Sequence, residues 1–119
     1  MTRRDDEPYI VYHYTSSYGL ERILQPPPNL SPSLNGIYGS GVYVTDIAPG
    51  AMSSRELSQI FLGIRDDFRF DHFVSFDARG LPVAQPDPNR PHVFIIPTTT
   101  PIDISNRLTG YGENQCTFE

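Results

Sequence analysis

Two short segments of the chain concentrate side chains that can do chemistry. One is H-Y-T at residues 13–15, and the other is the glycine-rich string Y-G-S-G-V-Y-V-T-D at residues 38–46. An imidazole can exchange hydrogen bonds with a ligand hydroxyl, and a tyrosine ring can stack on a flat or cationic group. Taken singly, His13 could also be a core histidine satisfied by the backbone, and Tyr43 could be an ordinary tyrosine on a strand face.

The glycine pair Gly39 and Gly41 invites comparison with phosphate-binding loops. The dinucleotide fingerprint G-x-G-x-x-G follows a strand and opens a helix. Here the third position after Gly41 is Val44, and the residues that follow favour a strand. Neither a Rossmann loop nor a P-loop fits, and the pair alone is typical of a turn that needs positive φ.

Length and charge limit the classes of function. A chain of 119 residues is expected to form a single domain over residues 1–119. Its formal net charge of -5 opposes a broad surface for long nucleic acids. One or two well-placed arginines could still hold the pyrophosphate of a dinucleotide.

Cysteine, histidine and hydropathy patterns point away from several other classes. The single Cys116 allows no intrachain disulfide, and His13, His72 and His92 lack metal-ligand spacing, so we expect no metal. The chain shows no apolar run long enough to span a membrane and no signal peptide. We expect a soluble protein without a membrane partner, either cytoplasmic or delivered to a host cell.

The elements that must position these residues can be read from the patterning. Residues 9–14 (Y-I-V-Y-H-Y) predict a buried strand, and Ser16 or Ser17 can cap a helix of about two turns that ends before Pro26. Residues 25–34 predict a surface loop because of the triple proline. The strand after Gly41 carries Tyr43.

The second half is rich in strands. Ser53 and Glu56 have the spacing of a capping box and predict a helix over residues 54–62. Residues 70–77 alternate as a strand with one apolar face, and residues 92–97 and 114–118 predict two more strands. Two short helices followed by several strands that do not alternate with helices along the chain predict an α+β fold.

The order of these segments resembles the ADP-ribosyltransferase superfamily of the His-Tyr-Glu class. The resemblance is closest to the small toxin-like HYD1-type branch, and it extends to the F-V-S-F-D segment at residues 73–77 and the P-I-D-I-S segment at residues 101–105. It implies a compact ADP-ribosyltransferase-like fold of two packed, mostly antiparallel sheets with two short helices. It also implies NAD as the substrate.

The resemblance assigns roles to individual residues. His13 would donate a hydrogen bond to a ribose hydroxyl of the adenosine half, and Tyr43 would stack on nicotinamide. The backbone of Tyr14 would grip the nicotinamide amide while its side chain points away. Gly39 and Gly41 would allow the close turn beneath Tyr43. Thr15 belongs to the NAD-binding motif, although Thr15, Thr45 and Asp46 are expected mainly to support strand ends.

The third motif position is a Glu near the start of a late strand in the family. Here the candidates are Glu113, Gln115 and Glu119, and we choose Glu113 because it follows a glycine at an expected strand entrance. Gln115 would leave the site without its carboxylate. Polymerase-type relatives also place a stacking tyrosine on the helix after the motif strand, where this chain offers Phe61.

Three functions follow from the resemblance. The leading one is transfer of ADP-ribose from NAD to a macromolecular acceptor, expected to be a protein rather than a nucleic acid, by a toxin or effector domain. The second is NAD glycohydrolysis, in which water accepts the ribose. The third is a catalytically silent module that binds NAD or another protein.

Overall fold

The chain folds into two helices and seven strands within the residues that the structure describes. The structure is a computed structural model and describes residues 7–34, 36, 38–63 and 69–115. The elements, in chain order, are β1 (Ile10–Thr15), α1 (Ser17–Leu24), β2 (Asn29–Leu30), β3 (Gly41–Val44), α2 (Ser54–Leu62), β4 (His72–Asp77), β5 (Phe94–Pro97), β6 (Ile102–Asp103) and β7 (Leu108–Glu113).

All strand pairs among these elements are antiparallel. β4 lies between β1 and β7 in a three-stranded sheet, while β3 pairs with β5 and β2 pairs with β6. Tyr12 of β1 exchanges two backbone hydrogen bonds of 2.9 Å with Thr45, just after β3. The predicted α+β fold is confirmed, and the bridge at Thr45 places the strands that carry His13 and Tyr43 side by side.

The two helices cover opposite faces of the three-stranded sheet. Leu20 of α1 joins a buried cluster with Val11 and Val74, whereas Leu57 of α2 packs with Tyr14 in a second cluster. Because successive strand residues point to opposite faces, residues 11 and 14 must lie on different sides of β1. His13 shares its face of the sheet with Val11.

Both helix beginnings confirm the predicted caps. The Ser16 hydroxyl accepts a hydrogen bond from the Gly19 amide at 3.1 Å. At α2, the Ser53 hydroxyl accepts from the Glu56 amide at 3.2 Å, and the Glu56 carboxylate accepts from the Ser53 amide at 3.1 Å. Among the described helices, none is long and apolar enough to cross a membrane.

The last strand of the described residues lies before the strand that the sequence predicts. A strand was expected over residues 114–118; residues 114 and 115 are not in a strand, and residues 116–118 lie outside the described range. The sequence missed β7 because Gly110 and Gly112 have low strand propensity and mimic a turn. Pairing with β4 overrides that preference, so Glu113 ends a strand instead of opening one.

Candidate functional site

A cavity of about 570 Å³ lies where β1, β3 and the end of α2 meet. Its lining includes four residues of the predicted set, namely His13, Tyr14, Gly41 and Tyr43. This volume lies within the usual range for small-molecule sites.

The His13 ring is fixed by the strand that carries Tyr43. Its Nδ1 lies 2.9 Å from the backbone carbonyl of Tyr43. A carbonyl oxygen can only accept, so Nδ1 must carry the proton. Burial lowers the pKa of His13, and this outweighs the opposite effect of the Tyr43 hydrogen bond. The ring is therefore neutral near pH 7, and Nε2 carries a lone pair that can accept a hydrogen bond.

The Tyr43 hydroxyl is engaged within the protein. It donates to the Gly39 carbonyl at 3.0 Å and accepts from the Tyr38 amide at 2.9 Å. Gly36 packs so closely on this side chain that an added Cβ would collide with the Tyr43 hydroxyl. The aromatic ring is thus held against the glycine loop, which we define as residues 36 and 38–40.

The predicted glycines serve this close packing. Gly41 exchanges backbone hydrogen bonds of 2.8 and 2.9 Å with Ser33, and an added Cβ would lie 2.5 Å from the Ile96 carbonyl oxygen. Gly39 has a φ of 101°, which side chains rarely adopt. Both glycines therefore allow the loop to approach β5 and Tyr43.

Tyr14 and Thr15 flank the cavity differently. The Tyr14 side chain is buried against α2, its hydroxyl donates to the Ile47 carbonyl at 2.7 Å, and burial raises its pKa. Thr15 ends β1 and lines a neighbouring cavity.

Thr45 and Asp46, which follow β3, bond within the protein. Thr45 is buried and accepts from the Ile47 amide at 3.2 Å, while Asp46 accepts from His92 Nδ1 at 2.7 Å.

A second cavity of about 470 Å³ adjoins the first, and His13 and Ser31 line both. It also contains Tyr18 and Arg22 of α1. The Arg22 guanidinium lies 5.9 Å from the centre of the Tyr18 ring and donates to its hydroxyl at 3.4 Å. This cavity thus offers a cation and an aromatic ring beside His13.

Glu113 lies outside both cavities. It ends β7, is exposed, and accepts a 3.3 Å hydrogen bond from the Gln115 side chain. Its Cα pairs with that of His72, which in turn pairs with Thr15. Glu113 therefore shares a sheet face with Thr15 and His13. Of the three predicted catalytic residues, the structure brings His13 and Tyr43 together at one cavity and leaves Glu113 outside it. Glu119 lies outside the described residues.

Several lining residues were missed from the sequence, among them Tyr12, Phe70 and Arg90. Phe70 was predicted to open the strand over residues 70–77, but in the structure it stands just before β4, and its ring lies 5.8 Å from that of Phe61, which also lines the cavity. Arg90 donates to the Ile60 carbonyl at 3.2 Å from a proline-rich loop. A loop arginine carries no periodic signal, so only the fold could reveal it.

The described part of the chain contains no group of three or more His, Cys, Asp or Glu side chains that could hold a metal ion. The polar side chains that line the cavity include an imidazole, a guanidinium, serine hydroxyls and tyrosine hydroxyls. Such a set suits an organic ligand with hydroxyl, amide or phosphate groups.

An α+β fold that joins a histidine and a tyrosine from neighbouring strands at one cavity is the arrangement expected of an ADP-ribosyltransferase. The family model described as HYD1 signature containing ADP-ribosyltransferase matches residues 11–108, and the chain belongs to this family. No curated protein and no solved structure matches the chain. The match includes His13 and Tyr43 and ends before Glu113.

Family membership fixes the general chemistry of the site. ADP-ribosyltransferases are transferases that use NAD as substrate and pass its ADP-ribose to an acceptor. The predicted class of enzyme is thereby confirmed at that level.

Proposed function

We propose that this chain transfers ADP-ribose from NAD to a protein acceptor, with release of nicotinamide, as a toxin or effector domain. The observation that carries the proposal is the meeting of His13 and Tyr43 at one cavity, 2.9 Å apart through the imidazole and the backbone carbonyl. Two residues 30 positions apart in sequence thus share the wall of a ligand-sized space.

NAD can be assigned to the two adjoining cavities. In this assignment nicotinamide stacks on Tyr43 in the larger cavity, where Phe61 and Phe70 add apolar surface. The adenosine half occupies the neighbouring cavity beside Arg22, and His13 stands at the junction. An aromatic face favours the positively charged pyridinium over the neutral product.

The tautomer of His13 changes its expected role. The family resemblance implies that His13 donates to a ribose hydroxyl, but its Nδ1 proton is already engaged by the Tyr43 carbonyl. In the neutral ring Nε2 can only accept. In our proposal the ribose hydroxyl therefore donates to Nε2.

The reaction breaks the bond between ribose C1′ and the nicotinamide nitrogen. Nicotinamide leaves with the bonding electron pair, positive charge develops on the sugar, and an acceptor nucleophile attacks C1′ and loses its proton. A carboxylate near the ribose stabilises this charge mainly in the transition state. We keep Glu113 as that carboxylate because it shares a sheet face with His13.

The test measures nicotinamide release and labelled ADP-ribose transfer, using wild type, Glu113→Gln and Glu21→Gln. Glu21 is an exposed glutamate on α1 and serves as the matched control. Glu113→Gln should reduce release by about a hundredfold or more while NAD affinity stays nearly unchanged, because the carboxylate acts in the transition state. Glu21→Gln should behave as wild type.

Each result decides between the three functions. Label that follows protein after nuclease digestion of a cell extract supports the proposed transfer. Release at the same rate without any added extract would replace it with NAD glycohydrolysis. NAD binding with no release under either condition would replace it with a silent NAD-binding module. Full activity of Glu113→Gln would remove Glu113 from the site.

A further inference from the structure

The glycine loop is tied to a distant segment by the side chain of Tyr38. The Tyr38 hydroxyl donates to the Asp87 carboxylate at 2.8 Å, across a separation of 49 residues. Through its backbone amide, the same residue donates to the Tyr43 hydroxyl at 2.9 Å. Tyr38 therefore contacts Asp87 with one end and Tyr43 with the other.

Asp87 is itself held by a local turn. Its Oδ1 accepts from the Asn89 amide at 2.9 Å, and its backbone carbonyl accepts from the Arg90 amide at 3.0 Å. Both carboxylate oxygens are thus engaged, one by the turn and one by Tyr38. The turn cannot shift without disturbing the hydrogen bond to the glycine loop.

We propose that Asp87 is a positioning residue, which acts through Tyr38 to fix the ring of Tyr43 at the cavity. This rests on the proposed function, in which Tyr43 stacks on the nicotinamide of NAD. Asp87 does not line the cavity, whereas Tyr43 and Arg90 both do. The carboxylate connects the glycine loop, whose Gly36 lines the cavity, with the turn that carries Arg90.

A carboxylate suits this position better than a neutral acceptor. The hydrogen bonds from Tyr38 and from the Asn89 amide lower the pKa of Asp87, so the group is ionised at neutral pH. Hydrogen bonds to an ionised acceptor are stronger than neutral ones. The same interaction raises the pKa of Tyr38, so its hydroxyl keeps the proton that it donates.

The effect on Tyr43 is expected because its hydroxyl is held by the glycine loop. Within the described part of the chain, the hydroxyl makes one other hydrogen bond, the 3.0 Å bond to the Gly39 carbonyl in the same loop. If the loop moves, both hydrogen-bond partners of the hydroxyl move with it. The ring would then sample orientations that do not stack, which reduces NAD affinity by the fraction of time spent in them.

The test compares Asp87→Ala, Tyr38→Phe, the double variant, the conservative Asp87→Asn and the control Asp103→Ala. Asp103 makes a similar carboxylate turn, accepting from the Ser105 amide at 2.8 Å, but lies away from the cavity. Hydrogen exchange of the Tyr38 amide gives a readout that needs no NAD. Calorimetric titration with NAD gives the affinity, and denaturant unfolding checks that each variant folds.

Asp87→Ala and Tyr38→Phe should each speed exchange of the backbone amide of residue 38 and weaken NAD binding by about two- to fivefold, within the range for one lost hydrogen bond. The double variant should lose no more than either single variant, because both break the same connection. Asp87→Asn should recover most of the affinity, since its amide oxygen can still accept from Tyr38. Asp103→Ala should match wild type.

The outcomes separate this inference from the function on which it rests. A wild type that binds no NAD would overturn the proposed function itself. A wild type that binds NAD, with Asp87→Ala unchanged in affinity, would overturn only the positioning role. Unchanged exchange of the Tyr38 amide in Asp87→Ala would overturn the role as well, because the connection would then not restrain the loop.

Discussion

The ring and the hydroxyl of Tyr43 make different contacts. The hydroxyl bonds to the Tyr38 amide and the Gly39 carbonyl, so it restrains the glycine loop, while the ring lines the cavity. The two contributions can be separated by substitution because phenylalanine keeps the ring and loses only the hydroxyl.

We predict that Tyr43→Ala weakens NAD binding by about tenfold, the effect of losing one aromatic stacking partner. Tyr43→Phe should weaken it by only about two- to fivefold, through loosening of the loop. Calorimetric titration measures both. Equal losses in the two variants would show that the hydroxyl, and not the ring face, makes the important contact.

The neutral state of His13 leaves a signature in the pH dependence of stability. Burial lowers its pKa below the ordinary value of 6.5, so the unfolded chain takes up a proton at a higher pH than the folded chain does. The unfolded state therefore binds more protons in this range, and stability must fall as the pH drops below about 6.5. Above that pH the stability that depends on the neutral His13 ring is fully present.

We predict that His13→Gln removes this part of the pH dependence. The difference in the free energy of unfolding, wild type minus His13→Gln, should become smaller as the pH falls from 7.5 to 5.5. Urea unfolding at the two pH values measures this difference, and the comparison cancels the contributions of the other side chains, which both proteins retain. A difference that grows on acidification would mean that His13 is protonated in the folded chain.

At the scale of elements, the features that depend on neighbouring residues were predictable. Both helix caps follow from serines at short spacing, and β1 and β4 follow from β-branched and aromatic runs. β7 was missed because its glycines are typical of a turn, and only its pairing with β4 makes it a strand. Features set by residues close in sequence could therefore be predicted, whereas a strand that depends on a distant partner strand could not.

The candidate site divides in the same way. The sequence singles out His13 and Tyr43 because each sits in a distinctive local string, and both line one cavity. Their roles towards NAD stay predictions. Arg90 and Asp87 were not found, since each belongs to an irregular loop whose approach to the cavity depends on the whole fold. The assignment of Glu113 stays a prediction.

The capping box of α2 matters because this helix carries Phe61 and Leu62 to the cavity. We predict that Ser53→Ala lowers the free energy of unfolding by about 1 kcal/mol, the usual effect of losing an N-cap hydroxyl. Gln59→Ala, at an exposed position on the same helix, should change it by less than about 0.5 kcal/mol. Urea unfolding decides, and equal effects would show that the cap contributes nothing to stability.

At the scale of the whole molecule, the charge balance is unfavourable for an anionic substrate. The chain has a formal net charge of -5, and the diphosphate of NAD is negatively charged. In our proposal, arginines at the cavities supply the local attraction. Arg22 lies in the cavity that we assign to the adenosine half, and Arg90 lies in the cavity that we assign to nicotinamide.

This division predicts that Arg22→Ala weakens binding of NAD and of ADP-ribose by about threefold or more, but leaves binding of free nicotinamide unchanged. Arg55→Ala, an exposed arginine on α2 outside both cavities, is the charge-matched control and should leave all three unchanged. The loss in Arg22→Ala should shrink as salt rises towards about 1 M, where exposed charges interact over only about 3 Å. Calorimetric titrations at low and high salt measure it. If Arg22→Ala weakens the binding of nicotinamide as much as the binding of NAD, then the two halves of the dinucleotide do not occupy the cavities that we assign to them.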